Sequence, residues 1–193
     1  MSSEGRSGAA SGGQLEHRID CSVETAEQIQ QATALIQASP DNLRDALSLL
    51  TALEKRCRVG NDLVSLTKVC EACLQLCKDC GDDDALVATL KTLSTRRSQK
   101  SKAIAALVHK ALPWALKEAQ AGGGIGTPID VATEKEKAAR DRLVETLRDI
   151  TDGKLFLEAE RARLTRALAA IKVSLSRTIC CTVRPRPLFD HFF

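Results

Sequence analysis

The sequence predicts an all-α protein, a right-handed α-solenoid of antiparallel helix pairs (TPR-like helical repeats) with about seven helices, on three observations. The first is palette: hydrophobic residues make up 44% of the 193, yet there are four Phe, one Trp and no Tyr. The apolar mass is therefore Leu, Ala, Val and Ile without the β-branched and aromatic enrichment expected of sheets. The second is period, since apolar residues recur in steps of three and four, which keeps them on one helix face. The third is spacing: helix starts near 42, 62 and 82 recur at a nearly constant interval. Helices of similar length joined by short turns fold back as antiparallel neighbours, and successive pairs stack.

Residues 1–20 are rich in Ser, Gly and Ala and have little to bury, so a disordered tail is expected there. Residues 21–121 form the main run of helical repeats. The first helix is predicted from near Val23 to Ala38, ended by Ser39-Pro40-Asp41-Asn42, which also supplies a capping start for the next. The second carries Leu43, Ala46, Leu47, Leu50, Leu53 and Cys57 on one face and stops at Gly60. The third lies between Asp62 and Asp79 with no internal Gly or Pro. The fourth opens on Asp82-Asp83-Asp84, carboxylates suited to the positive end of a helix, and turns Leu86, Leu90 and Leu93 inward. A fifth, from about Ser98 to Ala121, buries Ile104, Leu107, Val108, Ala111 and Ala115, with a kink expected at Pro113.

Residues 122–129 read as a Gly-rich linker, and residues 130–172 as a helical hairpin continuing the solenoid. The sixth helix carries Leu143, Val144, Leu147 and Ile150 and stops at Asp152-Gly153; the seventh carries Leu157, Leu164, Leu168 and Ile171. Glu158 with Arg161 and Glu160 with Arg163 stand three apart, the spacing of helix-surface ion pairs. Residues 173–193 form a divergent tail in which helical periodicity fades after Ile171. No W-x2-L-G-x2-Y pattern occurs, so irregular helical pairs fit better than a regular tetratricopeptide array.

Four of the eight cysteines fall in CEACLQLCKDC, residues 70–80. Two C-x-x-C pairs suggest zinc or an iron–sulfur cluster. Yet Cys80, Cys77, Cys73 and Cys70 continue the stripe of Leu66 and Leu63 within one helix. Along a helix Cys70 and Cys80 stand roughly 15 Å apart, whereas two sulfurs on one zinc stand at most about 4.6 Å apart. One ion cannot collect all four, and a buried helix face is expected, with Cys packing as a small hydrophobe. A cysteine-based metal or redox-sensing helical module on Cys70, Cys73, Cys77 and Cys80 is the alternative.

Other chemistry is sparse. His17, His109 and His191 have no nucleophile beside them in sequence, and His109 reads as an ordinary helix-surface or partly buried histidine. The glycines at 122–126 lack the G-K-[ST] and preceding strand of a phosphate loop. Arg96, Arg97, Lys100 and Lys102, with Lys110 beyond, form the densest basic cluster, but no interleaved aromatics offer base stacking. A solvated helix cap or a dock for an acidic partner is expected instead. Formal charge is only +3. No catalytic, cofactor-binding or metal-binding residue is assigned, and no nucleic-acid, membrane or small-molecule partner is expected. Met1 to Asp20 has no apolar core for a signal peptide and no run is apolar enough to span a bilayer, so a cytoplasmic and nuclear location is expected.

Three stretches carry a resemblance: LLTALEKRCR (49–58), LKTLSTRRSQKSKAIAALV (90–108) and LVETLRDITDGKLFLEAERARLTRALAAIK (143–172). Together they resemble the amino-terminal helical-repeat part of the family of non-ATPase regulatory subunit 12 of the 26S proteasome lid, the run D-G-K-L-F-L-E-A-E-R-A-R-L-T being the most specific. The resemblance runs from about Cys21 to Lys172. It implies a non-catalytic scaffold whose partners are other lid and regulatory-particle subunits, in support of ubiquitin-dependent degradation. A related PCI assembly such as the COP9 signalosome is a further alternative. The resemblance implies a PCI domain after the helical repeats; VSLSRTICCTVRPRPLFDHFF (173–193) is unlike it, and a chain lacking that domain is expected. A truncated or alternatively translated product is the corresponding expectation.

Overall fold

The computed structural model describes residues 20–117 and 126–182, and all seven expected helices lie among them. They are α1 (Ser22–Ala38), α2 (Leu43–Val59), α3 (Leu63–Asp79), α4 (Asp83–Thr95), α5 (Ser101–Ala115), α6 (Glu134–Thr151) and α7 (Glu158–Thr182). Short 3-10 turns at Pro40–Asn42 and Leu155–Leu157 lead into α2 and α7. The described residues contain no strand, only a bridge between Leu116 and Pro128. The expected tail at 1–19 and residues 118–125 and 183–193 lie outside the described residues.

One turn device, used twice, sets the regular interval. After α2, Asn61 takes φ 57°; after α3, Gly81 takes φ 68°. Each left-handed residue is followed by an aspartate whose amide closes back on a cysteine carbonyl, Asp62 N to Cys57 O at 3.0 Å and Asp82 N to Cys77 O at 3.2 Å. Each aspartate then caps the next helix, Asp62 accepting from Ser65 N at 3.3 Å and Asp82 from Ala85 N at 2.8 Å. Further along, Thr133 and Glu136 form a reciprocal capping box that starts α6.

These turns lay the helices antiparallel in an all-α solenoid. α3 packs against α1, α2, α4 and α5; α6 packs against α4 and α5, and α7 against α6. α2 and α4 make no comparably broad contact, which leaves a groove between them. The core runs continuously through Leu50, Leu53, Leu66, Leu90, Leu107, Leu147 and Leu164, each at most 1% exposed.

Three boundaries differ from the sequence reading. α5 starts at Ser101 instead of about Ser98, because Arg96 leaves the helical region and Ser98 takes φ 62°. It also ends at Ala115 instead of Ala121. Leu116 becomes extended, Lys117 N donates to Thr127 O at 2.9 Å, and Ile129 N donates to Ala115 O at 3.1 Å. Pro113 therefore sits in the last turn of α5, where the ladder bond it cannot make is one of the last in the helix. Within the Gly-rich stretch, Gly126 has φ 58° and lies so close to the Arg163 backbone of α7 that a side chain there would collide. Finally, α7 continues past Lys172 to Thr182, so the fading of apolar periodicity after Ile171 does not mark the end of a helix.

Leu66 and Leu90 are fully buried, so Leu66→Ala or Leu90→Ala should each lower the unfolding free energy by about 2–5 kcal/mol, read from urea midpoints. Leu155→Ala, at a residue 90% exposed, should leave the midpoint nearly unchanged.

Candidate interaction surface

The cysteine stripe of α3 is interior. Cys70, Cys73 and Cys77 are fully buried, and Cys80 at the helix end is partly exposed. The Cys77 sulfur lies 3.6 Å from the Thr89 hydroxyl of α4. Loss of hydration pushes the Cys70 thiol up to about 12, with buried Glu54 adding to the effect, and pushes Cys73 and Cys77 upward too. Burial, followed by Asp79 and Asp82, raises Cys80 in the same direction. These are protonated packing groups, whereas metal ligation and thiol attack both require thiolate. No group of three or more His, Cys, Asp or Glu among the described residues could hold a metal ion.

His109 lies on the surface of α5, with Nε2 3.1 Å from Glu160 Oε1 on α7. Glu160 thus faces His109 and not Arg163, the partner expected from spacing. Arg161 makes its closest ion pair with Asp152, at 2.7 Å, and reaches Glu158 only at 4.0 Å. His17 and His191 lie outside the described residues.

The basic cluster is partly spent inside the protein. Glu54 of α2 is fully buried, and Arg96 NH1 donates to its Oε2 at 2.9 Å. Arg58 Nε donates to Oε1 at 3.0 Å, and Gln99 Nε2 to the same oxygen at 3.2 Å. Arg58 NH1 also donates to the Arg97 carbonyl at 2.7 Å. A carboxylate deprived of water requires this degree of pairing. Two of the family-like stretches, 49–58 and 90–108, therefore meet in one buried network that locks the end of α2 to the α4–α5 junction. Sequence reading missed Glu54; the available signal was a carboxylate set among Leu50, Leu53 and Cys57, with Arg58 one turn on. Arg97 and Lys102 remain exposed, and the Lys110 ammonium lies 5.9 Å from the Trp114 ring centre.

The third stretch, 143–172, is the α6–α7 hairpin. Gly153 supplies φ 67°, the Lys154 ammonium donates to the Ile150 carbonyl, Leu157 anchors the turn in the core, and Arg161 reaches back to Asp152. Between these fixed points Leu155 is 90% and Phe156 49% exposed. Antiparallel alternation brings this turn to the edge that also holds the start of α1, the end of α2 and the start of α3, where Val23, Val59 and Val64 are exposed. Leu155 and Phe156 are the adjacent pair among these exposed apolar residues. Elsewhere, the α2–α4 groove encloses about 570 Å³ between Leu43, Arg44 and Leu47 on one side and Ala85, Ala88 and Thr89 on the other.

Residues 45–177 match the family described as PSMD12/CSN4, N-terminal. The chain is 34% identical over 135 residues to the 26S proteasome non-ATPase regulatory subunit 12 of Dictyostelium discoideum, covering 70% of this chain and 27% of that protein. It is 32% identical over 119 residues to homolog A of the same subunit from Arabidopsis thaliana, covering 62% and 23%. It is also 30% identical over 132 residues to the 26S proteasome regulatory subunit RPN5 of Saccharomyces cerevisiae, covering 68% and 26%. The chain thus spans about a quarter of the length of these curated relatives. The family match begins at 45 instead of Cys21 and extends beyond Lys172 to 177, within α7.

Glu54→Ala should cost about 3 kcal/mol of stability, because two guanidinium groups lose their buried counter-charge. A double-mutant cycle with Arg96→Ala should return a coupling of about 1–3 kcal/mol in urea denaturation. Alkaline pH should weaken the fold. The Cys57 and Cys70 thiols are raised from 9.0 to about 12, chiefly by burial, so the unfolded chain releases their protons first. Their contribution is whole below pH 9 and is lost as pH climbs toward 12; the urea midpoint should fall between pH 8 and pH 10.5, less so in Cys70→Ala.

Proposed function

The chain belongs to the PSMD12/CSN4 amino-terminal family, and on that premise we propose that it serves as a non-catalytic scaffold within the 26S proteasome regulatory-particle lid, in support of ubiquitin-dependent protein degradation. The observation that carries the reading is the coincidence of two spans. The family match covers residues 45–177, and the same residues build the continuous core from α2 into α7. What the segment offers to its surroundings is therefore a stiff stack of helices with apolar residues along an edge. Partners in this reading are other regulatory-particle subunits, and the compartments are cytoplasm and nucleus. The relatives named above are 26S proteasome regulatory subunits, which favours that assembly over the COP9 signalosome.

Leu155 and Phe156 are the proposed contact residues on the hairpin. They are exposed, yet held in place by Leu157, Gly153 and Arg161, so docking would immobilise little additional chain. No helix among the described residues is long and apolar enough to cross a membrane.

The test is affinity purification of a tagged full chain from cultured cells, with mass spectrometry of what accompanies it. Regulatory-particle subunits should co-purify, and Leu155→Asp with Phe156→Asp should cut their recovery by about tenfold or more while leaving the helical circular dichroism melt unchanged. Recovery of the chain alone, or of signalosome subunits in place of proteasomal ones, would overturn the assignment.

A further inference from the structure

We propose that Cys21 and Cys57 form an oxidative modification site, in which a disulfide closes between the start of α1 and the end of α2. Neither residue belongs to the C-x-x-C run. The chain brings them together through Asp62: Cys21 N donates to Asp62 Oδ2 at 2.9 Å, while Asp62 N donates to Cys57 O at 3.0 Å. With both backbones fixed on one residue, the Cys57 side chain lies beside that of Cys21, and buried Thr25 flanks them from the next turn of α1. Both cysteines are free thiols; Cys21 is 4% exposed and Cys57 is fully buried. The cysteines of α3, by contrast, succeed one another along a single helix, where linking them would tie no second element.

The location gives the bond a consequence. α1 buries only Thr25 and Ala32 completely, so it is the described helix least anchored in the core through α6. Cys21 stands at its first turn, where Thr25 N donates to Cys21 O at 2.8 Å. Opening of that turn exposes both sulfurs together, since local unfolding starts at weakly held ends. The oxidant in the proposal is a hydroperoxide. The Cys21 thiolate attacks one peroxide oxygen, the O–O bond breaks, and the leaving hydroxide takes a proton to become water, leaving a sulfenic acid. The Cys57 thiolate then attacks that sulfur, the S–O bond breaks as the S–S bond forms, and the second hydroxide leaves as water. Two thiols lose two electrons in total, and one hydrogen peroxide becomes two waters. The closed bond restricts α1 to its docked position.

The proposal competes with simple accessibility, which would favour Cys80, the partly exposed thiol among the described cysteines. The full chain would be treated with dilute hydrogen peroxide, its remaining thiols blocked, and its peptides mapped by mass spectrometry without reduction. A Cys21–Cys57 linked peptide should dominate, disappear on reduction with dithiothreitol, and be absent from both Cys21→Ser and Cys57→Ser. Cys21→Ser places a good capping residue at a helix start and should fold even where Cys57→Ser does not. Amide hydrogen exchange in α1 should slow on oxidation of the unaltered chain and not in Cys21→Ser. Modification confined to Cys80, linkages scattered among several cysteines, no linkage at all, or a Cys21–Cys57 bond that leaves α1 exchange unchanged would overturn it.

Discussion

The structure depends on the enclosure of α3. With four helices packed around it, α3 keeps only a narrow stripe for solvent, on which Lys68 is exposed, and its inward positions must be compact enough for close approach. α3 meets that demand with Ser65, Leu66, Val69, Cys70, Cys73, Leu74, Leu76 and Cys77, all buried. Cysteine suits such positions as a side chain barely larger than alanine that still gains dispersion contacts and has no strong need for a hydrogen-bond partner. The density of sulfur in this helix follows from packing. The same surroundings raise the thiols, so in the closed fold they remain protonated.

Around that helix the chain fixes its joints with polar groups. The left-handed residue and capping aspartate after α2 and again after α3 set the reversal at each end with hydrogen bonds to neighbouring residues, and Asp62 also accepts from Cys21 N. The Glu54 network works at long range: Arg96 and Gln99 reach a carboxylate that entered the sequence two helices earlier. A buried ion cluster adds little net stability compared with apolar packing of the same volume; what it adds is specificity of register. An apolar junction would tolerate a slide of α4 and α5 along α2. One carboxylate with three donors does not.

Local features were legible in the sequence, and long-range ones were not. Helix existence, the inward faces of α2 through α6, and the turns at Gly60-Asn61-Asp62 and Gly81 follow from period and capping residues that lie within a few positions of one another. The end of α5 was misread because the reason for it, the Leu116–Pro128 bridge, closes across a stretch whose composition suggests only looseness. Glu54 was missed because its guanidinium partner at Arg96 is 42 positions away. The extent of α7 was underestimated because an apolar stripe reports where a helix meets the core, whereas the backbone of α7 continues to Thr182 through Lys172, Val173 and Ser174, all exposed.

The same division explains what the family resemblance measures. Its three stretches coincide with joints: 49–58 and 90–108 at the Glu54 network, and 143–172 at the α6–α7 hairpin, where Gly153, Lys154, Leu157 and Arg161 each perform a separate mechanical task. A substitution at any of these misaligns two helices, whereas one at Val23, Val59, Val64 or Leu155 alters only what the edge presents to others. Architecture is thus written in residues that face each other, and the proposed partner contacts in residues that face solvent. A match carried by the first kind establishes the scaffold directly and bears on the partners only through the edge it holds in place.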